Sequence, residues 1–162
     1  MSISELGSLG EFISSIAVLV TLIYLASQVR SAKAAASDAN RLERASGVRE
    51  MLLEVVRNPE LRSPVIKSMG ATSWFEQYAS EFDLSTDEAI RVDYHNLYWF
   101  WLHWAQYAST KDPKDVQEFE NVISQFYAMP MMRYSWDNGP FIGQLEPEFR
   151  EFVNRVLKET EK

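Results

Sequence analysis

The sequence predicts an all-α protein, on three observations. Eighteen residues without a formal charge run from Phe12 to Val29. Elsewhere apolar residues recur every three or four positions, as on one face of an α-helix. No segment shows the apolar–polar alternation of period two that is typical of a β-strand. We expect one N-terminal transmembrane helix that continues into a juxtamembrane helix, followed by a small cytoplasmic helical bundle.

Composition excludes several classes of protein. The chain has 162 residues, 46% of them apolar, with a mean hydropathy of −0.24 and a formal net charge of −7. These values argue against a disordered chain and a multi-pass membrane protein. The absence of cysteine excludes disulfides, thiolate metal sites and a cysteine nucleophile. The acidic charge argues against nucleic acid as a partner.

The uncharged run has the length of a membrane span. As a helix it would be about 27 Å long, against roughly 30 Å for the hydrocarbon core. A secretory signal would begin with basic residues, whereas Glu5 and Glu11 precede this run. We predict a short external N-terminus over residues 1–11 and a transmembrane helix over residues 12–29. The alternative is a buried helix of a soluble protein.

Basic residues after the run predict its orientation. Arg30, Lys33 and Arg41, with Arg44 and Arg49, follow the run within twenty residues. Such residues are retained on the cytoplasmic side. The N-terminus is therefore expected outside and residues 30–162 inside, which in a bacterium means the inner membrane. Arg30, Lys33 and Arg41 are predicted to contact lipid headgroups, or else to act as retention charges only.

One face of the predicted span carries small or polar residues. This association face consists of two rows with a period of seven, Gly7, Ser14, Thr21 and Gln28, and Gly10, Ala17 and Tyr24. Small residues let helices approach closely, and hydroxyl groups can bond across the contact. Alternatively, the hydroxyls bond only to their own backbone carbonyls. We expect Glu11 to lie at the outer membrane interface, where the energetic cost of its charge is small. A glutamate inside the hydrocarbon would be costly and would indicate a functional role.

Helix signals continue beyond the span. A juxtamembrane amphipathic helix is predicted over residues 30–57, ended by Asn58-Pro59, and a cytoplasmic helical domain over residues 58–162. Within that domain Ser85 and Glu88 form a capping box for a helix that ends near Ser109. The other expected elements are a short helix over residues 64–69, an aromatic turn-rich region over 71–84, helices from Pro113 and Pro147, a turn or two over 131–136, and a turn over 137–140.

The helix after Ser85 is apolar nearly all round. Tyr98, Trp99, Trp101 and Trp104 are predicted to form a partner interface on it, since such a helix is either central or partly covered by another subunit. A cage for a cation, or a pigment or quinone contact, is the alternative. The two histidines, His95 and His103, lack the neighbouring carboxylates of a bundle metal site. We expect each to be partly buried and hydrogen-bonded.

No motif for catalysis or cofactor binding is present in the sequence. We find no phosphate loop, no nucleophile elbow and no paired acidic motif for two metals. The sequence therefore predicts no catalytic residue, no cofactor and no metal.

Several short segments resemble an uncharacterised family of bacterial single-pass membrane proteins. They are Leu9–Phe12 leading into Ile16–Val18, Thr21–Ala26 and Gln28–Arg30, then Asn58–Leu61, Leu84–Glu88 and Glu148–Val153. The resemblance implies one N-terminal transmembrane helix and a helical cytoplasmic domain. It implies no activity, ligand or catalytic residue.

These observations lead to a functional hypothesis. We expect a membrane-anchored, non-enzymatic protein that acts by association, as a homo-oligomer or as an accessory subunit of an inner-membrane complex. One alternative is a small oligomeric channel with Glu11, Ser14, Thr21 and Gln28 turned toward the pore. Another is a membrane-tethered ligand sensor or enzyme.

Overall fold

The computed structural model describes residues 3–110 and 112–161, and the chain divides into two units after Asn40. The first two residues of the expected external N-terminus lie outside the described residues. The helices are α1 (Ile3–Arg57), α2 (Pro59–Ser68), α3 (Thr72–Phe82), α4 (Thr86–Ser109), α5 (Pro113–Phe126), α6 (Pro130–Asn138), a 3-10 helix (Ile142–Gln144) and α7 (Pro147–Thr160). The described residues contain no strand. The predicted all-α class, with a long apolar N-terminal helix before a helical domain, is confirmed.

The first unit contains only the N-terminal part of α1. Residues 10–37 are all exposed. Local hydrogen bonds involve several of its hydroxyl groups: Ser15 Oγ donates to the Phe12 carbonyl and Ser27 Oγ to the Tyr24 carbonyl, each at 2.8 Å. Strong helix formers follow Arg30 and explain why α1 continues without a break.

The second unit starts with the last turns of α1, which ends at Arg57 as Asn58-Pro59 predicts. The Asn58 side chain accepts a hydrogen bond from the Glu60 amide at 3.1 Å and so caps α2. Pro59 occupies the first helical position, where its missing N–H costs nothing. α2 therefore begins five residues before the predicted start at Pro64, which lies inside the helix.

The aromatic region after Gly70 is helical, so the prediction of turn-rich structure there is wrong. Trp74, Phe75, Tyr78 and Phe82 recur every three or four residues and turn one side of α3 inward. Asp83 adopts a left-handed backbone conformation with φ +52° and ends the helix. The apolar spacing outweighed the turn-forming residues at either end of the segment.

α4 is the central helix of the second unit. Both hydrogen bonds of the predicted capping box are present at its start, between Ser85 and Glu88. It packs against α3 and α6, and α5 packs against α7. Its buried apolar side chains are Ala89, Ile90, Tyr94, Leu97, Phe100, Trp104 and Ala105.

The C-terminal elements follow the prediction with one correction. α5 starts at Pro113 behind its Asp112 cap, and α7 starts at Pro147. α6 is longer than expected, because Asp137 and Asn138 form its last turn instead of a separate turn. The helix ends at Gly139, whose amide donates to the Ser135 carbonyl at 2.9 Å.

Candidate functional site

The apolar part of α1 is uncovered by the rest of the chain. It is the one helix among the described residues that is long and apolar enough to cross a membrane, with a mean hydropathy of 2.0 over eighteen residues, none of them buried. Phe12 is 62% exposed and Ile23 71%.

Large apolar side chains surround most of this helix. At about 100° per residue, the association face covers an arc of about 100°. Large apolar side chains span about 240° of the remaining arc of about 260°, namely Phe12, Ile13, Ile16, Val18, Leu19, Val20, Leu22, Ile23, Leu25 and Val29. An apolar stripe that faces a single partner helix would be narrower.

The association face itself is exposed over the residues with described side chains. Glu11, Ser14, Ala17 and Gln28 are exposed on α1. Thr21 Oγ1 donates to the Ala17 carbonyl at 2.8 Å, which is the local alternative that the sequence left open. Because the Thr21 hydroxyl already donates within its own helix, contact with another helix at this position would depend on close packing of the two backbones more than on an interhelical hydrogen bond from this hydroxyl.

The predicted headgroup residues differ in their surroundings. Arg30 and Lys33 are exposed. Arg41 is partly covered, and its Nε lies 3.7 Å from Glu146 Oε1. Arg44 is exposed and makes no ion pair within the described residues.

The four aromatic residues predicted as one interface form two contacting pairs on α4, Tyr98 with Trp99 and Trp101 with Trp104. Trp101 and Trp104 contact each other edge to face, with ring centroids 5.4 Å apart. Trp99 packs on Phe126 at 4.7 Å. The Tyr98 ring lies 6.0 Å from the Arg49 guanidinium carbon. The Tyr98 and Trp99 rings also meet edge to face, with centroids 6.0 Å apart. A partner interface over the four residues stays a prediction.

The α1–α4 groove is the larger of two apolar depressions beside these residues. Its cavity volume is about 620 Å³, within the range of small-molecule sites. It is lined by Arg44, Gly47, Val48, Met51, Trp101, Trp104, Gln144 and Glu146. A smaller cavity shares Val48, Met51, Trp101 and Gln144 with it and adds Leu52, Met69, Tyr94, Leu97 and Phe141. This smaller cavity adjoins the groove and has a volume of about 40 Å³.

The α4–α6 groove is the second depression, with a volume of about 460 Å³. Its lining is mainly apolar and consists of Phe82, Val92, His95, Asn96, Trp99, Phe126, Met129, Pro130, Met131 and Met132. His95 is exposed, in contrast to the prediction, and its Nε2 accepts a hydrogen bond from Trp99 Nε1 at 3.3 Å. This arrangement fixes the Trp99 ring at the edge of the groove.

A buried polar cluster joins α3, α4 and α6. Asp93 is 1% exposed, and its Oδ2 accepts from Trp74 Nε1 at 2.9 Å. Asn96 Nδ2 donates to Ser135 Oγ at 3.0 Å. Asp93 Oδ1 has no partner with hydrogen-bonding geometry among the described residues. Burial raises the pKa of the Asp93 carboxyl more than the neighbouring Ser135 hydroxyl and Trp74 N–H lower it.

The second buried titratable group is His103, 2% exposed among aromatic rings. Its ring lies 5.3 Å from Phe126 and 5.7 Å from Tyr127. Burial lowers the pKa of His103 to about 4. Its Nδ1 has no hydrogen-bond partner among the described residues, and the side chain is fully buried instead of partly buried as expected.

The sequence analysis did not predict that Asp93 and His103 are buried titratable groups, although the helical spacing of Asp93 indicates burial. Asp93 falls on the same helical face as Ile90, Tyr94 and Leu97, at the spacing of core positions. Neither group lies at a groove surface where it could touch a substrate. The residues that the structure describes include no group of three or more His, Asp or Glu side chains that could hold a metal ion.

Comparisons with protein families, with curated proteins and with solved structures find no match for this chain.

Proposed function

We propose that this protein is anchored in a membrane by residues 12–29 and acts by association, without catalysis. The supporting observation is the exposure of the entire apolar segment of α1. Side chains of this kind need an apolar environment, and none comes from the rest of the chain. Lipid suits an apolar arc of about 240° better than one protein partner does.

We propose further that the N-terminus lies outside and the helical domain in the cytoplasm, at the inner membrane of a bacterium. Arg30 and Lys33 support this orientation, because exposed basic residues directly after a span are retained on the cytoplasmic side. These two side chains would also reach anionic headgroups. Arg41 is less available for that contact because it pairs with Glu146.

Association through the seven-residue rows of α1 is the second part of the proposal. Ala17 and Thr21 lie near the centre of the association face, opposite Leu19 and Ile23. A narrow face of small residues beside a broad apolar arc is typical of a span that contacts other helices. The partner is a second copy of this chain, or another subunit of an inner-membrane complex.

The absence of catalysis is supported by the placement of the titratable side chains. Asp93 and His103 have altered pKa values, which often marks an active site. Both are enclosed in the core, and burial is the main cause of each shift. Their environment is that of structural groups.

Membrane extraction tests the anchor. We expect the full-length protein to stay in the membrane fraction after carbonate treatment and to be released by detergent. Leu19→Arg should reduce membrane insertion, since arginine at the centre of a span costs about 2.5–3.5 kcal/mol. Ala35→Arg, at an exposed position of α1 beyond the apolar segment, is the matched control. Wild-type protein that is soluble after gentle lysis contradicts the proposal.

Cysteine cross-linking tests association, and the chain offers a clean background because it has no cysteine. Ala17→Cys lies on the association face, and Leu19→Cys lies at a similar depth on the opposite side. We expect oxidation in native membranes to give a disulfide-linked dimer for Ala17→Cys and little for Leu19→Cys. Equal yields at both positions, or none at either, contradict homo-association through this face.

A further inference from the structure

Gly47 in the α1–α4 groove is a glycine that the fold does not require. It lies inside α1, where glycine costs up to about 1 kcal/mol relative to alanine. Its backbone does not have a positive φ, and an added Cβ would meet no atom within 4 Å. Neither backbone conformation nor packing within the chain explains the residue. Its missing side chain leaves the groove open.

The groove is polar at one end and apolar at the other. Arg44, Gly47, Val48 and Met51 lie along one side of α1, and Arg44 is about 10 Å from Met51 along the helix axis. Near Met51 the groove adjoins the smaller cavity of about 40 Å³, whose further lining is mainly apolar, Leu52, Met69, Tyr94, Leu97 and Phe141. The lining thus changes from a cation to hydrocarbon along its length.

Electrostatics at the polar end favour an anion. Glu146 also lines this end, but its carboxylate is already paired with Arg41 at 3.7 Å. Arg44 has no such partner within the described residues and is exposed. One positive charge therefore remains available to a ligand, and a guanidinium binds a carboxylate through two parallel hydrogen bonds.

We propose that the α1–α4 groove binds a single-chain anionic amphiphile of the fatty-acid class. The carboxylate pairs with Arg44, and the alkyl chain lies over Gly47 and along Val48, Met51 and Trp101. The volume of about 620 Å³ and the few polar groups in an apolar wall match a small-molecule site. All lining residues belong to the second unit of the chain, so the proposal does not depend on membrane anchoring.

Tryptophan fluorescence provides the test. The full-length protein is placed in phosphatidylcholine nanodiscs and titrated with a brominated dodecanoic acid, because bromine quenches indoles on contact. Two of the five tryptophans, Trp101 and Trp104, line the groove. We expect saturable quenching in the wild type. Quenching that rises linearly without saturation reports simple partition into the bilayer and overturns the proposal.

Two variants locate the ligand. An added Cβ at Gly47 meets no atom within 4 Å and leucine favours the helix, so Gly47→Leu should fold and, by occupying the groove, lose the saturable quenching. Gly143→Leu is the matched control, since its Cβ also meets nothing within 4 Å and Gly143 does not line the groove. Circular dichroism verifies that both variants are folded. If Gly47→Leu binds the acid as the wild type does, the site is not this groove.

A third variant tests recognition of the carboxylate. Arg44→Gln should weaken binding of the brominated acid about tenfold, the value of one charge-assisted hydrogen bond. It should leave binding of the brominated alcohol of the same chain length unchanged. Equal affinity of Arg44→Gln and wild type for the acid would show that the groove does not select anions.

Discussion

Arg62 and Asp87 join the end of α1 to the start of α4 through a buried guanidinium and a half-exposed carboxylate. Besides this ion pair, Arg62 Nε donates to the Val55 carbonyl at 3.1 Å and Nη2 to the Val56 carbonyl at 2.7 Å. These carbonyls belong to the last turn of α1, which has no further helical donors for them. Arg62 therefore caps one helix and anchors another.

The first prediction concerns this double role. Arg62→Met should lower the free energy of unfolding by about 2–3 kcal/mol, because it leaves two partly buried carbonyls without donors. Asp87→Asn should cost less than about 1 kcal/mol, since water can replace the carboxylate on its exposed side. Denaturant unfolding of the full-length chain, followed by circular dichroism in one fixed detergent, measures both. Equal losses in the two variants would contradict the capping role of Arg62.

Local chemistry made many helix boundaries predictable from the sequence. The Ser85–Glu88 capping box, Asn58 before Pro59 and Asp112 before Pro113 all act within four residues. Such interactions form between residues that are close in sequence and need no contact with a distant segment. The uncharged run from Phe12 was equally visible because composition alone defines it.

The grooves could not be predicted, because they exist only after distant segments meet. The α1–α4 groove combines residues near Gly47, Trp101 and Gln144, which are far apart in the sequence. Helical periodicity shows that α4 is apolar on several sides, but not which neighbour covers each side. For that reason the contact of Trp99 with Phe126, and the groove beside Trp101 and Trp104, could not be predicted from the spacing of the aromatic residues on α4.

The second prediction concerns Asp93. Burial raises the pKa of its carboxyl in the folded state, so the folded protein keeps a proton that the unfolded chain releases. The contribution of Asp93 to stability is therefore greatest below its unfolded pKa and is lost as the pH rises. Asp93→Asn keeps an acceptor for Trp74 Nε1 and removes this loss. The variant should gain stability relative to wild type between pH 4 and pH 7, measured by thermal unfolding at each pH. A constant difference across this range would contradict the raised pKa.

The third prediction concerns His103, whose contribution to stability changes with pH in the direction opposite to that of Asp93. His103 has a folded-state pKa of about 4, below its ordinary value of 6.5. Between these values the unfolded chain binds a proton that the folded protein excludes, so stability falls as the pH drops below 6.5. The full loss corresponds to about 3 kcal/mol. His103→Phe should reduce the acid sensitivity, since an aromatic ring replaces the imidazole among Trp99, Phe126 and Tyr127. An acid sensitivity in His103→Phe equal to that of the wild type would contradict the lowered pKa of His103.

The last prediction contrasts two glycines. Gly47→Ala should stabilise the protein by about 0.5–1 kcal/mol, because the new methyl group meets no atom within 4 Å and the helix gains propensity. Gly139→Ala should destabilise it by more than about 1 kcal/mol, because the added Cβ would lie 2.3 Å from the Ser135 carbonyl oxygen. That oxygen accepts the amide hydrogen bond that ends α6, so it cannot move away freely. Thermal unfolding of the two variants against wild type measures the difference. A loss of stability in Gly47→Ala would contradict this prediction. It would mean that other side chains of the protein occupy the space beside Gly47 in solution.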